Sequence, residues 1–307
     1  MKSMETRKIG SLQVSIVGLG CNNFGWRIDA AATRKVVDAA LGAGVNFFDT
    51  ADVYGGGQSE EFLRPALAGR REQVVLATKF GIKMDEQKQG AKPSYVKEAV
   101  EASLRRLGTD RIDLYQLHKP DPTTPIADTL GALNDLVQEG KVREIGCSNF
   151  SAAQIREAES AVPNGAARFA SVQNDYSLLQ REPEKEVLPE CVRRGIAFIP
   201  YFPLANGLLT GKYRAGKPLP EGSRGQAGFG PKVFTEENLA KVESLIRFAE
   251  SRGHTLLELA FSWLASQPGV VSVIAGAKTP EQVQANARAA AWRLNSAEIA
   301  EAASIAP

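Results

Sequence analysis

The chain has 307 residues, 43% of them hydrophobic, and sets 37 Lys and Arg against 35 Asp and Glu for a net charge of +2. That length and apolar content suffice for a sizeable core, while the even charge, without a long basic run, argues against nucleic acid and for a small-molecule partner. No run reaches the roughly 18 uninterrupted apolar residues of a membrane span, and the start MKSMETRK lacks the apolar centre of a signal peptide, so a soluble, cytoplasmic protein with no membrane partner is expected.

In chain order, RKIGSLQVS (7–15), with Gly10 and Ser11 at a turn, reads as a small hairpin plugging one end of a barrel, or else as a frayed terminus. Short β-branched or aromatic runs then recur near 13–18, 45–49, 74–79, 112–118, 143–147, 170–174, 196–201 and 270–276. Helical patterns occupy 30–43, 59–68, 94–107, 126–139, 151–161, 184–194, 255–266 and 280–290. In DAATRKVVDAALGAG, for example, Val36, Val37, Ala40 and Leu41 share one face, and Gly42 and Gly44 close the end. Eight such units fit a single α/β domain over 1–307, a closed (β/α)8 TIM barrel with an N-terminal β-hairpin, better than an open dinucleotide sheet. Two stretches exceed what the barrel requires. Residues 203–235 carry seven glycines and four prolines and are expected to form a flap, and 236–252 an extra helix before the seventh barrel helix. A shorter polar loop, 81–93, lies on the same rim.

Barrel chemistry sits at the carboxyl ends of the strands. Those ends carry Asp49 with Tyr54, Lys79, His118, Ser148 with Asn149, Gln173, Tyr201, and Gly276 to Lys278. An acid, a phenol, an ammonium and an imidazole on three adjacent strands make a proton-donating site. A free phenol, with a pKa near 10, is a poor acid at neutral pH, and a buried ammonium beside it is expected to lower that value. Asp49 is the natural counter-ion of Lys79, and a neutral His118 can donate a hydrogen bond to a substrate carbonyl. The other histidine, His254, follows Gly253 in a helix-linking segment and reads as structural or solvated. Cys21, Cys147 and Cys191, odd in number and without CxxC spacing, read as packed thiols and leave no metal site.

The ordered motifs GVNFFDTADVYG (44–55), Lys79, DLYQLH (113–118), GKVREIGCSNF (140–150), VQNDYSLL (172–179), IPYFPLANGLLTGKY (199–213) and AGAKTPEQVQANARA (275–289) resemble the aldo-keto reductase superfamily, from about residue 6 to about 290. The resemblance implies reduction of an aldehyde or ketone to an alcohol, with Asp49, Tyr54, Lys79 and His118 as the catalytic tetrad and Tyr54 as general acid. It also implies a nicotinamide cofactor, since no side chain delivers hydride. Ser148, Asn149 and Gln173 would hold the carboxamide, and Tyr201 would stack on the ring. Pro203, Leu204, Gly207, Leu208 and Lys212 would take the diphosphate. Gly276, Lys278, Thr279, Gln282 and Asn286, around the start of the eighth helix, would take the adenosine end and a 2'-phosphate, which favours NADPH. Phe202 stands where many relatives carry serine, and Gln282 where many carry a phosphate-gripping arginine, which weakens that preference. The resemblance also admits a cofactor-binding redox sensor or regulatory subunit, or an NAD-dependent sugar or alcohol dehydrogenase.

Trp26, Phe80 and Phe202 are expected to line an apolar substrate pocket, or simply to pack. About 17 residues follow the eighth helix, too few for a tail closing over the substrate, and nothing in the sequence specifies an oligomeric state. Several look-alikes fail. GLG at 18–20 meets Asn23 where a dinucleotide fingerprint needs glycine, and GLLTGK (207–212) is one residue short of a phosphate loop. Tyr115 and Lys119 straddle a strand end rather than one turn of helix, and Asn149-Phe150-Ser151 matters as a glycosylation signal only in a secreted protein.

Overall fold

Alternation along the strands decides how this chain folds. In a parallel barrel, residues two apart share a face. Phe47 and Asp49, Val75, Ala77 and Lys79, Leu114 and Gln116, and Ala197, Ile199 and Tyr201 therefore line the inside. The computed structural model describes residues 4–221, 223, 225, 226 and 233–306. Residues 222, 224 and 227–232 of the expected flap lie outside the described residues.

Strands β1 (Thr6–Ile9) and β2 (Leu12–Ser15) form an antiparallel hairpin. The barrel strands are β3 (Val17–Gly20), β4 (Phe47–Asp49), β5 (Val75–Phe80), β6 (Ile112–Leu117), β7 (Val142–Ser148), β8 (Phe169–Asp175), β9 (Ala197–Tyr201) and β10 (Val273–Gly276), all parallel in the order β10-β3-β4-β5-β6-β7-β8-β9. Backbone bonds from Phe198 N to Gly269 O (2.8 Å) and from Val271 N to Phe198 O (3.0 Å) bring β9 to the segment before β10 and leave the barrel nearly closed. The first barrel strand therefore spans 17–20 and not 13–18. Leu12 and Val14 belong to the hairpin, where with Ile9 they pack on Phe47, Val75, Ala77, Leu114, Ala197, Ile199 and Ile274 and stopper the amino end of the barrel.

The helical layer consists of α1 (Ala30–Gly42), α2 (Gln58–Ala66), α3 (Pro93–Leu107), α4 (Ile126–Gln138), α5 (Ala152–Ala161), α6 (Val187–Arg194), α7 (Glu236–Glu250), α8 (Leu256–Ala265), α9 (Pro280–Ala289) and α10 (Ser296–Ile305). Asp29, Ser151, Thr235, Thr255, Thr279 and Asn295 cap six of them by accepting from backbone N–H groups. The expected extra helix is α7. The tail adds α10, which the sequence reading omitted. Trp263 Nε1 donates to Ile299 O at 3.2 Å, and Arg252 pairs with Glu301 at 2.8 Å, so α10 docks on the helical layer. His254 stacks on Trp292, with ring centroids 4.0 Å apart. No helix among the described residues is long and apolar enough to cross a membrane.

Candidate active site

At the open end of the barrel the inward alternation switches from apolar to polar. Lys79 is completely buried, and its Nζ donates to Asp49 Oδ2 at 2.6 Å and to Thr50 O at 3.0 Å. The other carboxylate oxygen of Asp49 accepts from Gln116 Nε2 (3.1 Å) and Gln173 Nε2 (3.0 Å), and Gln173 Nε2 also reaches Gln116 Oε1 at 3.3 Å. This pair is buried and fully hydrogen-bonded, the condition under which an internal ion pair is tolerated.

Tyr54 follows β4 on a tight turn, Tyr54–Gly57. Gly55 there has φ +59°, and a Cβ on it would come within 2.9 Å of Phe24 O, so only glycine lets the turn press against the loop after β3. The Lys79 ammonium lies 5.2 Å from the centroid of the Tyr54 ring, and the His118 ring stands edge-on to it with centroids 5.8 Å apart. The four residues expected to form the tetrad therefore meet at one site.

Their electrostatics differ from expectation in one respect. Burial pushes the Tyr54 phenol above its usual value, and although the charge and hydrogen bond of Lys79 draw it down, burial prevails. The lowered phenol expected from the sequence is thus corrected: desolvation of the phenolate outweighs the ammonium, and Tyr54 is held as a neutral phenol. For Lys79, burial, the largest influence, works against its charge, but Asp49 and Tyr54 outweigh it and the net direction is upward. His118 falls to about 3, through burial and then the charges of Lys79 and Lys119, so its ring is neutral. Its buried Nδ1 has no hydrogen-bond partner.

Above this group opens a cavity of about 570 Å³, with Asp49, Tyr54 and His118 in its wall. Ser148, Asn149, Gln173, Tyr201, Phe202, Pro203, Leu204, Gly207, Lys212, Gly276, Lys278, Gln282 and Asn286 line it as well. Asn149 adopts φ +62°, uncommon outside glycine but easiest for asparagine. There its Nδ2 donates to His118 O (2.9 Å) and Ser148 Oγ (3.1 Å), and its Oδ1 accepts from Tyr201 OH (2.7 Å). Phe202 has φ +50°, and its ring stands edge-on to Tyr201 with centroids 5.1 Å apart.

Four expected residues sit elsewhere. Phe80, one step past inward-facing Lys79, points outward by the strand period and stacks on Tyr115 in the core, with centroids 4.7 Å apart, so it is not a pocket residue. Trp26 lies outside the cavity wall, 53% exposed beneath the Arg27 guanidinium. The Leu208 side chain is in the core, and Thr279 caps α9 by accepting from Gln282 N. Conversely, Asn22, Asn23, Arg27, Ile82 and Asn206 line the cavity unforeseen. Gln116, which binds the tetrad carboxylate, was also missed, although it stands two residues before His118. All three cysteines are buried, and burial raises each thiol. Among the described residues no group of three or more His, Cys, Asp or Glu is placed to hold a metal ion.

Fold and rim together define a (β/α)8-barrel oxidoreductase. The aldo/keto reductase family model matches residues 16–307, and the chain belongs to that family. It is 36% identical to the aldo-keto reductase YhdN of Bacillus subtilis, over 93% of this chain and 88% of that one. It is 35% identical to a probable voltage-gated potassium channel subunit beta of Arabidopsis thaliana, over 93% of this chain and 91% of that protein. The solved structure of the glycerol dehydrogenase AKR11B4 from Gluconobacter oxydans superposes with a TM-score of 0.85 at 32% identity, covering 99% of this chain and 95% of that one.

Proposed function

We propose that the protein, acting as one cytoplasmic domain, reduces an aldehyde or ketone to an alcohol with NADPH, and that Tyr54 donates the proton. The observation that carries this reading is the buried Lys79–Asp49 pair at 2.6 Å beneath Tyr54 and a neutral His118 on a cavity wall. As charge develops on the carbonyl oxygen, the Tyr54 proton moves to it. Lys79 then stabilises the phenolate left behind, a species that burial alone would make costly. His118, uncharged, orients the same oxygen through a ring N–H. Asp49 keeps the ammonium aimed, and Gln116 and Gln173 keep Asp49 in place.

The donor set along the other half of the cavity fits a nicotinamide dinucleotide, which when bound supplies the hydride. Both N–H bonds of Gln173 are directed inward, to Asp49 and Gln116, so its carbonyl oxygen remains to accept from a carboxamide, and Ser148 and Asn149 lie beside it. Tyr201, its hydroxyl tied to Asn149, offers its ring for stacking. The backbone of Pro203, Leu204, Gly207 and Leu208 with Lys212 would take the diphosphate, and Lys278, Gln282, Asn286 and Gly276 the adenosine end. Tyr54→Phe is expected to keep cofactor affinity, read by fluorescence titration, while losing about 10²- to 10⁴-fold in turnover. Near-full activity in that variant would exclude Tyr54 as the acid.

The likeness to the Arabidopsis protein supports a second reading, a cofactor-binding regulatory subunit. Cofactor consumption across a panel of aldehydes and ketones separates the two, because tight binding with negligible turnover favours the subunit. The glycerol dehydrogenase likeness supports running the same site towards alcohol oxidation, and a parallel assay with glycerol and NAD+ or NADP+ tests that direction.

A further inference from the structure

Directly behind the tetrad, on the outer face of the barrel wall, lies a second buried polar cluster that the proposed chemistry does not use. Asp52 is 2% exposed, two residues before Tyr54, and its backbone N–H donates to Lys79 O at 3.0 Å. One of its oxygens, Oδ1, is buried with no hydrogen-bond partner, and Tyr95 of α3 bonds its side chain. Glu60, on α2, is fully buried, and its two oxygens accept from Thr78 Oγ1 (2.6 Å) and Arg106 Nε (2.7 Å). Thr78 precedes Lys79 on β5, so the cluster holds the chain two residues before Tyr54 and at and just before Lys79. Two buried carboxyls share one nearby guanidinium, and its direct bond goes to Glu60. A negative charge on Asp52 would therefore be buried with an orphaned oxygen and no cation of its own, a state that is costly unless a proton is kept.

We propose that Asp52 is a positioning residue that carries a proton in the working enzyme, and that its ionisation displaces the turn bearing Tyr54. The groups facing it are Glu60 from α2, Arg106 and Tyr95 from α3, and Tyr115 from β6, whose buried hydroxyl is also without a partner. Burial first, then the charge of Glu60, push its carboxyl up to about 7, and Arg106, the Val53 N–H and Tyr95 recover only part of that rise. The folded state thus holds this proton more tightly than the unfolded chain. The stability it confers is complete at acid pH and is lost as pH rises through about 7. Turnover follows the same sign, because the neutral form keeps Tyr54 in place. The turnover half of this proposal rests on Tyr54 being the proton donor, whereas the proton on Asp52 does not.

Two measurements on the full chain test it. In the first, melting temperatures of the wild type and Asp52→Asn are compared from about pH 5 to about pH 8. The wild type should lose ground against the permanently neutral variant up to about pH 7 and level off above it, and a constant difference across the range overturns the proposal whether or not the protein reduces carbonyls. In the second, kcat/KM for a reactive aldehyde should fall in the wild type by up to about tenfold per pH unit above its inflection and stay level in Asp52→Asn, with cofactor affinity alike in both. Identical profiles overturn the positioning role. If Asp52→Asn does not fold, Glu60→Gln decides. Removing the neighbouring acid and returning Arg106 to Asp52 should move the wild-type inflection to lower pH, and an unmoved inflection overturns the proposal.

Discussion

The two ends of the barrel are built from the same strands, a single pleat period apart. On β5, Val75 and Ala77 face the hairpin plug and Lys79 lies towards the open end, buried beneath the cavity wall. On β6 it is Leu114 and then Gln116, on β4 Phe47 and then Asp49, and on β9 Ile199 and then Tyr201. The plugged end is filled by side chains that need nothing from one another except contact, so its energy is area removed from water and cavity left unfilled. At the open end, burial works against the charge of Lys79, which Asp49 and Tyr54 sustain, and it leaves His118 neutral. Stability resides at one end and vulnerability at the other.

The largest effect expected at the open end comes from Lys79→Met. It leaves Asp49 as an unpaired buried charge, costing about 3–5 kcal/mol of stability and nearly all turnover, read by denaturant unfolding and a steady-state assay. Replacing the pair together, Asp49→Leu with Lys79→Met, should recover most of that stability and none of the turnover. A double variant as unstable as the single one would mean that Gln116 and Gln173, and not the charges, hold the rim together. At the plugged end, Leu12→Ala should cost about 2–5 kcal/mol through lost contact and residual cavity and leave kcat/KM within about twofold. A large loss of turnover there would break the separation of the two ends.

The two ends also differ in their response to pH. The folded His118 is depressed to about 3, so the unfolded chain binds its proton first, and this contribution to stability is present above the imidazole's ordinary 6.5 and is lost as pH falls towards 3. His118→Gln should therefore flatten the acid side of the stability curve, measured by melting temperature against pH, whereas Leu12→Ala should shift the whole curve without changing its slope.

Much of this contrast was legible in the sequence, because six of the eight barrel strands end at or near Asp49, Lys79, His118, Ser148, Gln173 or Tyr201. What was not legible follows from register and from burial. Ending the first barrel strand at 18 instead of 20 hid Asn22, Asn23 and Arg27, which lie just past its true carboxyl end, since hairpin strand β2 and barrel strand β3 run together as one apolar segment. Phe80 was read by its position at the rim, although its parity with Lys79 already pointed it outward, and the same parity with His118 would have revealed Gln116. The upward direction of Tyr54 could not be read at all, because it depends on how much water the fold removes. Helix α10 is rich in alanine and weak in contrast between its faces, yet Asn295 followed by Glu298 is a capping box that would have marked its start.

The smallest effect concerns the far half of the cavity, which is polar but exposed. Gln282 Oε1 accepts from Lys278 N at 2.7 Å, and Thr279 Oγ1 accepts from Gln282 N, so the N–H just before α9 and one in its first turn are already satisfied by neighbouring side chains. An incoming 2'-phosphate would find Lys278 as its cation and few free N–H groups, which predicts only modest discrimination between NADPH and NADH. Gln282→Arg should release the Lys278 N–H and add a guanidinium, raising the NADPH preference by about tenfold, or roughly 1.4 kcal/mol, as the ratio of kcat/KM for the two cofactors. The gain is held to that size because an exposed charge is screened by water and salt, and a much larger gain would show that the bound cofactor closes this end of the cavity as tightly as the tetrad is closed.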